Sequence, residues 1–289
     1  MSTDLPPLLA DDEPPPFEID NPDGRSRFVL TCDHARNRMP RALGDLGLQP
    51  EELELHVAFD IGAEVMARRI SERLDATLIR SGYSRLVLDL NRPLQSPASI
   101  PEQSELTRVP GNQGLGDAER RRRADALFHP YHDALARLLD QRIARGIVPV
   151  YIAVHSFTPV YFGEARHVEV CVSWRTDDRL GRLLFERLDA LGGWKVVAHD
   201  PFIITLEGDY GVPYQGEGRG LPSVLLEVRQ DLIGEPADAR AWGDRIADAL
   251  ASIEHHPSIA GRIDPPADLR RAGAQVARSA VECDGRLAE

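Results

Sequence analysis

Two histidines, a glutamate and an asparagine–arginine pair in this 289-residue chain each stand at the end of a short apolar run. Phe28–Cys32 leads into Asp33-His34, Leu86–Leu90 into Asn91-Arg92, Val150–Val154 into His155-Ser156, and Val224–Leu226 into Glu227. A neutral imidazole binds a divalent metal or acts as a base, and an arginine offers a planar fork to a carboxylate. A carboxylate inside an apolar run, such as Glu227, either pairs with a cation, Arg229 or Arg92 being available, or carries a raised pKa and moves protons. Together these residue types suit metal-assisted hydrolysis of a small anionic substrate.

Each residue also has a plainer reading. His34 taken alone is a loop histidine, Glu227 is half of a buried salt bridge, and Arg92 pairs with Asp89 or Glu227. A hydrolytic zinc site takes three protein ligands and leaves one position to water, and spacing leaves the third ligand open. Asp60, beside the apolar face of the next helix, is placed to point back at the strand ends, although it also suits the positive end of that helix. Asp33 and Glu64 are weaker candidates, and there is no HExxH motif. Arg85 and Ser156 add polar groups beside the same strand ends. Gly208–Gly220 precedes a strand and so lacks the order of a phosphate loop. Arg120–Arg123 reads as a solvated helix face, His129 and His132 as packing or capping residues, His255-His256 as a helix end, and Cys32 as a packed thiol.

For these groups to meet, their runs must be neighbouring strands, because open α/β sheets collect ligand-binding groups just beyond the carboxyl ends of their strands. Strand-like and helix-like segments do alternate, which predicts an α/β fold. The spacing predicts a helix through Val57, Ile61, Val65, Ile70 and Leu74, then a strand at Leu78-Ile79 and another at Leu86–Leu90. The segment Pro93–Gly116 is long for a connection and has the composition of an active-site lid. A second helix carries Leu127, Phe128, Tyr131, Leu135 and Leu139, with a kink or a new start at Pro130. Gly146 closes it before a strand from Val148 to Val154. Further strands are expected at Val168–Val172, Lys195–Ala198, Phe202–Leu206 and Ser223–Val228, with helices over Arg179–Leu191 and Ala237–Ile253.

Size and composition allow one domain, expected at 22–262, between an acidic, proline-rich arm (1–21) that has little to bury and a C-terminal extension (263–289) with a peripheral helix. The net charge of -12 argues against a nucleic-acid partner, which needs a basic face. Cys32, Cys171 and Cys283 form no zinc-finger spacing, and a reducing, cytoplasmic setting is the simplest reading. No signal-like segment and no membrane-spanning run is evident, and a monomer or small homo-oligomer is expected.

The chain resembles the N-formylglutamate amidohydrolase family in several segments. These are Thr31–Ala35 with Arg36–Pro40, His56–Ala63, Ser84–Pro93, Pro130–His132, His155–Pro159 and Leu226–Ile233. The resemblance implies a three-layer α/β/α fold with a mixed, largely parallel sheet, similar to zinc carboxypeptidases. It implies zinc, or another divalent metal, held by His34, His155 and an acidic residue, with Asp60 assigned here. Glu227 would then be the general base, and Arg92 with Asn91, Arg85 and Ser156 would meet the substrate. One departure stands out: carboxypeptidases and aspartoacylases carry His-x-x-Glu where this chain has His34-Ala-Arg-Asn37. The implied reaction is hydrolysis of a small N-acyl amino acid, N-formyl-L-glutamate first. The alternatives are a zinc carboxypeptidase or muramyl-peptide amidase, and a non-catalytic amino-acid-binding or regulatory protein on the same fold.

Overall fold

Every residue of β2 (Phe28–Cys32) and β6 (Val150–Phe157) is buried, as expected of strands covered on both faces. The computed structural model describes residues 5–270 and sets these two strands near the middle of a seven-stranded sheet. The other members are β1 (Phe17–Asp20), β3 (Thr77–Ser81), β9 (Val170–Ser173), β10 (Val196–Ala198) and β11 (Ser223–Arg229). Two short hairpins stand apart, β4 (Gln103–Ser104) with β5 (Thr107–Arg108), and β7 (Val160–Tyr161) with β8 (Glu164–Ala165).

The sheet order is β1-β3-β2-β6-β11-β9-β10. Strands β3, β2, β6 and β11 are parallel, while β1 and β9 run against their neighbours β3 and β11. This is the mixed, largely parallel sheet expected from sequence. Between β2 and β6 the strand order reverses direction, the place where such sheets bind ligands. In the β6–β11 ladder His155 lies directly opposite Glu227.

Side chains alternate between two cores. Ile152, Val154, Leu226 and Val228 face α2 (Ala63–Leu74), α5 (Arg179–Asp189) and α6 (Pro236–Ala251). Tyr151, Ala153 and Leu225 face the other layer. That layer holds the one-turn α1 (Pro50–Leu53) and α3 (Asp117–Arg123), which continues through a wide turn at Ala124–Phe128 into α4 (His129–Ala144). Pro130 sits in the first turn of α4, directly after that wide turn, as expected of a proline that disturbs a helix. Among the described residues no helix is long and apolar enough to cross a membrane.

Several expectations need correction. Leu86–Leu90 is buried yet is not a strand. Ser84 Oγ accepts from the Leu86 amide at 3.2 Å and Ser84 O from the Val87 amide at 3.0 Å, a local turn that competes with a ladder. Buried carbonyls still need donors, and here side chains supply them. Asn112 Nδ2 reaches Leu86 O at 2.8 Å, Arg123 Nη1 reaches Val87 O at 3.1 Å, and His132 Nε2 reaches Leu90 O at 2.8 Å. Arg123 is therefore only 1% exposed, not part of a solvated face. The helix expected from Val57 begins at Ala63, because Gly62 is left-handed (φ +78°) and the Asp60 amide is taken by His34 O at 2.9 Å. Phe202–Leu206 is a loop, where Thr205 bonds Asp209 and Gly208 instead of a neighbouring strand. Phe17–Asp20, counted in the N-terminal arm, pairs with β3, and Leu8 is buried. Residues 267–270 begin a helix, and the rest of the expected C-terminal helix, with Cys283, lies outside the described residues.

His132 is buried, and burial brings its pKa down from 6.5 to about 4. The unfolded chain therefore takes up a proton near pH 6.5 that the folded chain refuses until about pH 4. Stability should hold above pH 6.5 and fall between those values by up to about 3 kcal/mol. Urea unfolding of the wild type and His132→Gln at pH 7 and pH 4.5 checks this. The variant should lose visibly less stability on acidification, and parallel losses would exclude His132 as a source.

Candidate active site

The sheet positions the site by alternation. His155 of β6 and Glu227 of β11 project to the α4 side, within their strands and not beyond the ends. His34 follows β2 by two residues, and Asp60 occupies the turn before Gly62. All four are buried. His34 Nδ1 lies 3.3 Å and His155 Nδ1 2.9 Å from Asp60 Oδ2, and the two Nδ1 atoms are 3.2 Å apart. Two nitrogens bound to one tetrahedral zinc at ~2.0–2.1 Å are roughly 3.3 Å apart. The triad therefore fits a metal ion as it stands.

The far nitrogen of the His34 ring supports that fit. His34 Nε2 meets Asp89 Oδ1 at 2.7 Å, and His155 Nε2 faces Asp33 Oδ2 at 3.4 Å. With its Nε2–H directed at Asp89, the His34 ring turns its Nδ1 lone pair inward, the usual arrangement of metal-binding histidines, while His155 Nε2 stands beside Asp33 without a hydrogen bond. Tyr131 of α4 donates its hydroxyl to Asp33 Oδ1, and Arg85 bonds Asp89 Oδ2 through Nε at 3.0 Å and Nη2 at 2.7 Å.

Charge points the same way. Burial works to raise the Asp60 pKa, but His34 and His155 hold it well below the usual carboxylate range. Burial likewise opposes ionisation of Asp89, yet Arg85 and His34 keep it low. For His155 burial favours the neutral ring, and Asp33 and Asp60 overcome it and raise the pKa well above normal. A pocket that draws a positive charge onto a buried imidazole is suited to a cation.

Glu227 has no such support. Burial, with His155 opposing and Asp60 adding, pushes its pKa up to about 7, and Oε2 has no hydrogen-bond partner among the described residues. The expected ion pair is absent among the described residues: Arg229 bonds Asp231 at 2.7 Å, and Arg92 donates to Gly208 O. A carboxyl poised near neutrality beside a metal-type triad can accept and return a proton.

These groups line a cavity of about 430 Å³. Arg92 and Arg85 reach it, but Arg85 is bound to Asp89 and also approaches Asp60 at 3.3 Å. Asn91 and Ser156 line it too, with their polar atoms committed. Asn91 Oδ1 accepts the amides of Tyr210 and Gly211 at 3.1 and 2.9 Å. Ser156 Oγ donates to Ile61 O at 2.8 Å, and its amide reaches Asp60 Oδ2 at 3.2 Å. They build the wall and hold Asp60. The segment expected as a lid contributes β4 to one wall, where Glu105 pairs with His56 at 2.8 Å. Asn37 lies outside the site, bonded to Leu53 O and Glu54, and Glu64 is engaged by Arg80 and Arg36. Sequence reasoning missed Arg166 altogether, and missed Asp33 and Asp89 as partners of the histidine Nε2 atoms. The available signal was position, since Asp33 adjoins His34 and Asp89 precedes Asn91 by two.

A family model described as N-formylglutamate amidohydrolase matches residues 26–234. A solved protein from Agrobacterium tumefaciens is 33% identical, with a TM-score of 0.77 over 86% of this chain and 100% of its own. An N-formylglutamate amidohydrolase from Ralstonia eutropha shares the fold at 18% identity, with a TM-score of 0.56 over 83% of this chain and 97% of its own. A metallo-carboxypeptidase from Pseudomonas aeruginosa aligns with a TM-score of 0.34 at 15% identity, over 79% of this chain and 58% of its own. Comparison with curated protein sequences returns no match.

The Asp89–His34 contact gives this geometry a direct test. Asp89→Asn should weaken zinc binding by roughly 10–100-fold, read by competition with a chromophoric chelator. Unchanged affinity would show that Asp89 does not orient a metal ligand.

Proposed function

The chain belongs to the N-formylglutamate amidohydrolase family, and from that premise we propose that it hydrolyses the amide bond of a small N-acyl amino acid, N-formyl-L-glutamate first. The observation that carries the reading is Glu227, a buried and unpartnered carboxyl that lines the same cavity as three groups spaced for a metal. His34, Asp60 and His155 would hold a divalent ion, zinc by the nature of this donor set. Such an ion supplies Lewis acidity and a water acidified to a pKa of about 7.

Glu227 takes a proton from the attacking water and delivers it to the amine nitrogen as the C–N bond breaks. Water's oxygen leaves in formate, and L-glutamate is released. Arg92, at the cavity wall, meets a substrate carboxylate or the charge developing on the acyl oxygen. Arg85 balances Asp89 and Asp60 so that the buried acids do not repel an anionic substrate. Asn91 and Ser156 act by holding the wall and Asp60.

The hairpins favour a small substrate over the peptide ends taken by a carboxypeptidase or muramyl-peptide amidase. The Phe162 amide of the β7–β8 turn reaches Glu105 Oε1 of the β4–β5 turn at 2.6 Å, which joins two walls of the cavity. The catalytic unit spans 22–262 in this reading, with β1 adding Phe17–Asp20. A cytoplasmic monomer or small homo-oligomer completes it.

Purified protein should carry metal and release formate from N-formyl-L-glutamate, with the activity lost to a chelator and restored by zinc. Glu227→Gln should lower kcat by about 10²–10⁴-fold while zinc binding persists. Protein that stays inactive when loaded with zinc would overturn the reaction, and full activity in Glu227→Gln would remove the base.

A further inference from the structure

Arg166 differs from the other arginines of the cavity. Arg85 is bonded to Asp89, and Arg92 to Gly208 O with Asp209 nearby at 3.8 Å. The Arg166 guanidinium has no hydrogen bond and no ion pair among the described residues, although it lines the cavity. Its surroundings are aromatic: the guanidinium carbon lies 4.4 Å from the Tyr161 ring centre, 5.3 Å from Phe202 and 5.7 Å from Phe157. Cation–π contacts of this kind orient a guanidinium but leave its in-plane N–H donors unused.

The backbone of Arg166 is fixed on both sides. Its amide donates to Pro159 O at 2.8 Å, and its carbonyl accepts from Arg229 Nη1 at 2.9 Å. Burial lowers its pKa, and Glu227 and Glu105 oppose this only through space. Arg85, which has carboxylate partners, is shifted the other way. A half-buried, positioned cation that lines a cavity with no ion pair among the described residues lacks an anion.

We infer that Arg166, at the foot of the β7–β8 hairpin, binds a second carboxylate of the substrate, so that the cavity selects acidic N-acyl amino acids over neutral ones. A dicarboxylate needs two cationic contacts, and Arg92 can supply only one of them. The three rings hold the guanidinium at the cavity wall, and a planar fork matches a carboxylate better than a point charge does. The inference rests on the hydrolase reading only for the identity of the bond cleaved, since recognition of the anion is independent of turnover.

The test uses two probes that carry no scissile bond, glutarate and its monoamide glutaramate, titrated calorimetrically into zinc-loaded protein. The wild type should prefer glutarate by roughly 10-fold or more. Arg166→Gln should bind the two alike, and Arg166→Lys should recover part of the preference. A wild type without preference, or an Arg166→Gln variant that keeps it, overturns the assignment. Formate release from N-formyl-L-glutamate, measured in parallel, separates the two proposals. Preference without hydrolysis leaves the anion site standing and removes the amidohydrolase reading, and hydrolysis with an unaltered preference in Arg166→Gln does the reverse.

Discussion

The carboxylate of Asp60 is the junction on which the site depends. One oxygen meets both histidine Nδ1 atoms and the Ser156 amide, and the other approaches Arg85. Those contacts come from the β2 loop, from β6 and from the buried segment before Asn91. A carboxylate this buried needs donors or cations beside it, and the Ser156 amide and Arg85 supply two of them. Gly62 permits the turn that aims it. Any Cβ there would stand 2.1 Å from Ile233 O, so the turn packs directly against the chain just after β11.

Around this junction the site is a set of carboxylates in graded environments. Asp33, Asp60 and Asp89 are kept ionised by histidines, Tyr131 or Arg85, whereas burial raises the pKa of Glu227 to about 7. The four acids therefore divide into three that hold charge and one whose pKa is raised. The division follows from which acid received donors when the sheet and its flanking loops packed.

Much of this was legible in the sequence, for a physical reason. β2, β6 and β11 are nearly all apolar because both faces are covered, so a polar residue at or just after their ends stands out, and His34, His155 and Glu227 do. The same logic failed at Leu86–Leu90, which is as apolar as a strand but has its carbonyls satisfied by Asn112, Arg123 and His132. Those donors lie about 25 to 40 residues downstream, and no local pattern links them to it. Asp60 could be named from its place beside a helical face, but its aim depends on the Gly62 turn. Arg166 had no signal, since what distinguishes it is the absence of a partner among the described residues, a property of packing and not of spacing.

The pairing of His155 with Glu227 has a further consequence. They are direct neighbours across two parallel strands, and strand side chains change face at each step. A single-residue insertion in either strand would turn its functional side chain into the opposite core, among Val154, Leu226 and Val228. The separation of these two groups is therefore a discrete quantity set by ladder register. Lineages of this fold can retune the loops around the pair gradually, but they can move the pair itself only in whole steps of two residues.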